Sequence, residues 1–258
     1  MLKDILIKIA RPLFRNYVYV IKTGLAQGLK RKGGLGFLPL NRPPSREQEF
    51  LRTIDIRGKT VYDIGGYEGI FTLFFARKVG EHGVVITFEP NPLSYRKIID
   101  NVKVNHFDNV KVFNLAIGER KSTAKLVLDD FELGTGEIMS DNDGMISAMK
   151  GKKYVQVEID SIDGLIYGDV IPKPQFIKID VEGFELEVLK GAATTLEQSR
   201  PQLFIEIHGD GIANKKENLR EIVEFLSRYG YDIVHVESGL SVSTNNYGDA
   251  YKGHLYCQ

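Results

Sequence analysis

The chain has 258 residues, 43% of them hydrophobic and 26% charged, with Lys+Arg and Asp+Glu equal at 34 each. That length accommodates one sizeable α/β domain with appendages or two small domains, and zero net charge excludes a whole-molecule electrostatic pull toward nucleic acid. The single cysteine, Cys257, rules out an internal disulfide, and no Cys/His cluster has zinc-site spacing; a reducing compartment, most simply the cytoplasm, is expected.

Residues 1–45 are expected to form a basic, partly helical extension. Lys3, Lys8, Arg11, Arg15, Lys22, Lys30, Arg31 and Lys32 stand there against one early acid, Asp4. Charges interrupt every apolar run before it reaches the ~20 residues of a spanning helix. No small-residue cleavage site follows a clean apolar core, which argues against a secretory signal. Leu2, Ile5, Ile9, Leu13 and Phe14 share one helical stripe. Two readings fit it: a helix in peripheral contact with an anionic membrane, or one packed on the domain with a solvated basic face.

From residue 46 to the end the pattern predicts one α/β domain. "TVYDIG" reads as a buried strand and "GIFTLFFARKV" as a helix with Ile70, Leu73 and Phe74 at apolar spacing. "GVVITFEP" is a second strand stopped by Pro90, and "PLSYRKIIDNVKVN" a helix whose first turn suits Pro92 and Ser94. "VKVFNLAIG" is a third strand. Strands alternating with helices in this way indicate βαβ units and a parallel sheet.

The middle is less regular. "STAKLVLDD" and "YVQVEID" alternate apolar and polar residues as half-exposed strands do. Between them, about 130–153, a Gly-, Asp- and Asn-rich stretch predicts a long loop or cap. The alternation then resumes with the strand "QFIKIDV", the helix "GFELEVLKGAATTLEQ" and the strand "PQLFIEIH". "NKKENLREIVEFLSRYG" is a helix with Leu219, Ile222, Val223 and Leu226 on one face. "YDIVHVE" is a strand and "HLYCQ" a short final edge strand.

The turn "DIGGYEG" follows the first strand with Asp63, Gly65, Gly66, Tyr67 and Gly69, and leads into a helix. That is a nucleotide-binding arrangement: glycine permits close approach, and the helix start offers free N–H groups. Glu89, twenty positions after Gly69, closes the second strand, where a carboxylate accepts both hydroxyls of a ribose. Dinucleotide sites want G-x-G-x-x-G, which this turn lacks. An acid beside a diphosphate is also unfavourable. S-Adenosylmethionine, with no phosphate and an ammonium end, suits an acidic turn better. The plain alternative is a tight strand–helix turn that needs glycine for geometry alone.

"VYDIGGYEGIFTLFFA", "FEPNPLSYRKIIDNVKVN", "NLAIG", "SIDGL", "FIKIDVEGFELEVLKGA" and "LFIEIHG", in this order, resemble the FkbM family of S-adenosylmethionine-dependent methyltransferases. The likeness runs from about Gly58 to about Gly209, and "KIDVEGFELEVLKGA" is its most specific part. One departure lies in the turn, where the family usually has Asn and this chain has Tyr67. The resemblance implies a Rossmann-like, doubly wound sheet of seven strands, the last antiparallel, and methyl transfer to a hydroxyl of a sugar, glycolipid or other small metabolite. It implies that Asp63, Gly65 and Gly69, with Gly66 and Tyr67 of the same turn, line the cofactor. Glu89 would hold the ribose, Asn91 approach the adenine or ribose, and Asn114 and Ala116 flank the adenine.

Ligands of such sheets sit beyond the carboxyl ends of the strands, and the strands ending at Asp63, Asp180 and His208 are expected to be neighbours. An alcohol becomes a useful nucleophile when a base takes its proton. His208, with an ordinary pKa near ~6.5, is the first candidate. Asp180 is the second, as base or as the group that orients the hydroxyl. The bland readings are a strand-end histidine in a hydrogen bond, and, for Asp180 and Glu182, acids stabilising a helix start. Asp180, Glu206 and His208 also form an O/N donor set open to Mg²⁺ or Mn²⁺, but no spacing fixes its geometry and no metal is assigned. Two other functions stay open: a nicotinamide-dependent oxidoreductase or epimerase, which lacks a Tyr-x-x-x-Lys pair here, and a non-catalytic Rossmann-like binding protein.

Overall fold

The computed structural model describes Phe14 and residues 16–34, 43–128, 136–139 and 153–258. Most of the amino-terminal apolar stripe (Leu2, Ile5, Ile9 and Leu13) lies outside the described residues, as does most of the 130–153 segment. The first described elements are a hairpin of β1 (Val18–Val20) and β2 (Lys30–Lys32), followed by α1 (Arg46–Thr53). Ser45 caps α1 by accepting from the amide of Gln48. The hairpin segment packs on the domain: Tyr19, Ile21 and Ala26 are buried against Leu73, Ile98 and Val102. The Arg77 guanidinium fastens it by donating to the carbonyls of Leu25 and Gln27.

Then come β3 (Thr60–Ile64), α2 (Ile70–Val79), β4 (Val84–Phe88), α3 (Pro92–Val104) and β5 (Val110–Phe113). β6 (Ala116–Ile117), β7 (Ser122–Leu128), β8 (Gly136–Met139) and β9 (Lys153–Asp160) make a separate four-stranded sheet in the order β6-β9-β7-β8. The chain continues through α4 (Ile162–Tyr167), β10 (Phe176–Ile179), α5 (Glu185–Lys190), α6 (Ala193–Ser199), β11 (Gln202–Glu206) and α7 (Gly211–Arg228). It closes with β12 (Ile233–His235), β13 (Ser241–Val242) and β14 (His254–Cys257).

The central sheet runs β13-β12-β14-β11-β10-β3-β4-β5. β11, β10, β3, β4 and β5 are parallel, and β14 is antiparallel to both of its neighbours. This is the expected Rossmann-like doubly wound architecture. The described residues show eight strands rather than seven because the two-residue β13 pairs beside β12. Alternate residues of each strand feed opposite layers. Tyr62, Ile64, Ile177, Ile179 and Ile205 face the layer holding α5 and α7, while Val61, Phe176 and Phe204 face Leu51, Phe74 and Phe75 of α1 and α2. Burial on both faces explains why these strands read as continuous apolar runs. Leu219, Ile222, Val223 and Leu226 of α7 are fully buried, as their spacing predicts.

Four local expectations are corrected. "HLYCQ" is an interior strand rather than an edge: Leu255 and Cys257 are fully buried between β11 and β12. "VKVFNLAIG" is two strands in different sheets, because the Asn114 amide donates to the carbonyls of Glu89 and Pro90 and turns the chain out of the central sheet. "GFELEVLKGAATTLEQ" is two helices that break at Gly191, where a Cβ would collide with the carbonyl of Gly118. Within the stretch read as a loop, Gly136–Met139 pairs antiparallel with β7. No helix among the described residues is long and apolar enough to cross a membrane.

Candidate active site

The strand order reverses between β3 and β10, and a cavity of about 250 Å³ opens at their carboxyl ends. Its first wall is the turn after β3. The amides of Gly65 and Gly66 both donate to the carbonyl of Phe88, drawing the turn against β4. Gly65 has φ +82°, and a Cβ there would strike the carbonyl of Asp180. At Gly66 a Cβ would meet the side chains of Thr87 and Ile98. Glycine is therefore required where β3, β4, β10 and α3 converge.

Glu89 lies at the far side of this turn and is 5% exposed. Its carboxylate accepts from the amides of Tyr67 and Asn91, each at 2.8 Å. Two bonds to fixed amides set the orientation of the carboxylate, and its remaining lone pairs are available to the cavity it lines. Burial still dominates its titration: the pKa is raised from 4.5 to about 7, against the opposing pull of those amides. Ala116, Leu115 and Leu126 supply an apolar wall from the β5–β6 link and the second sheet.

The opposite end is acidic. Asp180, Glu182, Glu206 and His208 all line the cavity. Lys178, almost fully buried, donates to Asp180 Oδ2 at 2.9 Å, stands 3.7 Å from Asp63 Oδ1 and lies over the Phe71 ring. His208 Nδ1 is 2.8 Å from Oε1 of the fully buried Glu185. Glu185 is itself bound by the Gly183 amide and the Asn218 side chain. Burial opposes charge on His208, but Glu185, Glu182 and Asp180 outweigh it and its pKa is raised. Tyr67 and Glu182 both hold left-handed backbone, at φ 48° and 51°. Such strain in non-glycine residues gathers at functional sites.

Of the residues singled out from sequence, Gly65, Tyr67, Glu89, Asn91, Ala116, Asp180 and His208 line this cavity. Asp63, Gly66, Gly69 and Asn114 are not among the residues that line it. Asp63 is fully buried, accepts from the Thr72 hydroxyl at 2.6 Å and faces Lys178, so its charge is used inside the fold. Gly69 precedes α2 in left-handed conformation. Asn91 caps α3 through the Leu93 amide while also bordering the cavity. Glu185 escaped the sequence reading. Its one legible signal is an acid on the same buried stripe as Val188 and Leu189.

The family model described as a methyltransferase FkbM domain matches residues 63–233. The chain is 28% identical over 151 residues to the hexuronic acid methyltransferase AglP of Haloferax volcanii, covering 57% of this chain and 55% of that protein. It is 24% identical over 144 residues to methyltransferase 1 of Beauveria bassiana, covering 51% of this chain and 57% of that protein. Each match thus spans little more than half the relative's length. Among solved structures, a methyltransferase FkbM of Methylobacillus flagellatus superposes with a TM-score of 0.53 at 18% identity, over 80% of this chain and 45% of that one. That likeness is one of fold.

Proposed function

This chain belongs to the methyltransferase FkbM family, and on that premise we propose that it transfers a methyl group from S-adenosylmethionine to a hydroxyl oxygen of a sugar or similar small acceptor. The observation that carries the reading is the fixed, buried carboxylate of Glu89, set across a glycine turn in one cavity with Asp180 and His208. The fit is chemical. Glu89 accepts from the ribose hydroxyls, the apolar wall of Ala116, Leu115 and Leu126 takes the adenine, and the carboxylates at the other end favour a cationic sulfonium and ammonium over phosphate. Bound there, the cofactor supplies an electrophilic methyl that leaves a neutral thioether when a C–O bond replaces the C–S bond.

The chain's own contribution is alignment and activation of the acceptor. Asp180 and His208 activate its oxygen: the hydroxyl proton passes to Asp180 Oδ1 or to Nε2 of the neutral His208 as the C–O bond forms. The relative from Haloferax is named for an anionic acceptor. Here three carboxylates border the corner beside a single imidazole, an arrangement that favours an uncharged hydroxyl. The FkbM membership sets the oxidoreductase and the non-catalytic readings behind this one.

Calorimetry with S-adenosylmethionine, S-adenosylhomocysteine and NAD tests the cofactor. Saturable binding of both sulfur nucleosides, lost in Glu89→Ala, is expected; binding of NAD alone overturns the reading. Mass spectrometry of acceptor mixtures incubated with deuteromethyl-labelled cofactor then reads the product, and label on nitrogen or carbon instead of oxygen overturns the hydroxyl assignment.

A further inference from the structure

The acidic corner contains more donor atoms than proton transfer requires. Asp180, Glu182 and His208 each present one ligand atom, and these three lie within 4.8 Å of one another. We infer that His208 Nε2, Asp180 Oδ1 and Glu182 Oε2 bind a divalent cation of the magnesium or manganese type beside the acceptor oxygen. Methyl transfer is the premise for what the ion does there; its binding stands independently.

Each principal donor is the atom left over after a buried partner has taken the other. Lys178 occupies Asp180 Oδ2, leaving Oδ1 toward the histidine. Glu185 holds His208 Nδ1, which directs Nε2 into the corner. A fully buried carboxylate behind an imidazole is the outer support that metal-ligating histidines carry. Glu185 lies outside the donor set and is anchored from α7 by Asn218, so its placement is an observation separate from the cluster.

The spacing also points to a shared ion. His208 Nε2 is 3.7 Å from Asp180 Oδ1, 3.6 Å from Glu182 Oε2 and 3.6 Å from Glu206 Oε1. None of these is a hydrogen bond. Donors around an octahedral ion with bonds of ~2.1 Å stand ~3 Å apart in cis and ~4.2 Å in trans. The separations from His208 Nε2, 3.6 and 3.7 Å, lie between these two values, so a small side-chain adjustment brings the donors onto one ion. A protonated imidazole, the competing account, offers a single N–H at Nε2 to three carboxylates and reaches none of them closely.

Imidazole mixed with carboxylate oxygens and an open side for water suits manganese or magnesium better than calcium, which prefers oxygen alone. An ion there would take the acceptor hydroxyl into its open positions and lower the pKa of that hydroxyl. Asp180 and His208 would then act together as ligands, and an anionic acceptor group would also become tolerable.

The experiment uses the full chain, freed of metal with chelator and titrated with Mn²⁺. Electron paramagnetic resonance counts bound ion, and electron spin echo modulation reads imidazole nitrogen on it. One saturable site with nitrogen coupling is expected. His208→Gln should abolish the coupling and weaken binding at least about 10-fold, as should Asp180→Asn, while Glu217→Gln, exposed on α7, retains both. No saturable site, or nitrogen coupling unchanged in His208→Gln, overturns the proposal. Cofactor affinity measured on the metal-free protein separates the two readings: cofactor binding without Mn²⁺ binding rejects the ion alone, and Mn²⁺ binding without cofactor binding rejects the methyl-transfer reading alone.

Discussion

Glu185 holds His208 by a 2.8 Å contact to Nδ1 from a position with no solvent exposure. A fully buried carboxylate with the Gly183 amide and Asn218 as its other partners has no freedom to follow the imidazole if it moves. Glu185→Gln keeps the shape but changes the tautomer that the imidazole prefers. We expect turnover to fall about 10- to 100-fold with cofactor affinity within about 2-fold of wild type. Steady-state kinetics beside calorimetry checks this; unchanged turnover shows that the contact is structural only.

In its proposed role at the ribose, Glu89 should give cofactor affinity a pH dependence. Its pKa is raised to about 7, chiefly by burial, so below that pH the group is protonated and loses an acceptor. Affinity for S-adenosylmethionine should rise through pH 7 and level off above. The fold moves the other way, because a carboxyl with a raised pKa loses stability as the pH climbs past its unfolded value toward 7. Glu89→Gln should bind weakly with a flat profile, and a sloping profile in that variant would assign the dependence elsewhere.

Gly65 cannot accept a side chain. A left-handed φ costs about 1–2 kcal/mol in an alanine, and the added Cβ would also strike the carbonyl of Asp180. Gly65→Ala should lose at least about 2 kcal/mol, lowering Tm by roughly 5 °C or more. Calorimetric melting decides; a wild-type Tm would mean that β3 and β10 separate there without penalty.

Residues 16–34 contribute to the core. Removing the first 44 residues would strip Tyr19, Ile21, Leu25 and Ala26 from buried positions. At about 1.5–3 kcal/mol for each of the three large side chains, the loss is comparable to a whole domain's stability. A chain starting at Ser45 should be unfolded or nearly so by circular dichroism. Native-like melting of that chain would show that the hairpin is dispensable.

His254 ties three elements together. Its Nδ1 is 2.7 Å from Glu237, and Nε2 is 3.4 Å from Glu47 on α1 and 3.6 Å from Glu206 on β11. Burial opposes its charge, but Glu206, Glu237 and Glu47 outweigh it and raise the pKa from 6.5 to about 9. A histidine raised in this way stabilises fully below pH 6.5 and loses that contribution as the pH rises through 9. Chemical denaturation from pH 6 to 10 should show this decline, and His254→Gln should remove it. A decline of equal size in the variant would place its cause in another group.

The fold class was legible because buried parallel strands and amphipathic helices write their periods directly into the chain. Ile177 and Ile179 in "FIKI", or Leu219 to Leu226 on α7, are apolar at the spacing their burial demands. The turn after β3 was legible for a related reason: glycine and acid positions near a strand end are local signals. The partners of those signals were not. Asp63 reads as a cofactor-facing acid, yet it lies opposite Lys178 on the adjacent strand, and that register is a property of the sheet. Gly66 reads as a glycine of the cofactor turn, and the structure adds a packing reason for it that no local pattern shows: Thr87 and Ile98 occupy the space a Cβ would take.

By itself, then, the sequence determined the alternating strands and helices of the central sheet, the residues near the ends of its parallel strands, and the family to which the order of motifs belongs. These follow from near-neighbour spacing. Only the tertiary structure decided that Glu185 stands behind His208, that Lys178 binds one oxygen of Asp180 and leaves the other free, and that Glu206 lies between two histidines. The physical reason is that such pairings depend on strand order and helix docking. They bring together groups from different strands and helices, and no local pattern along the chain encodes the distance between them.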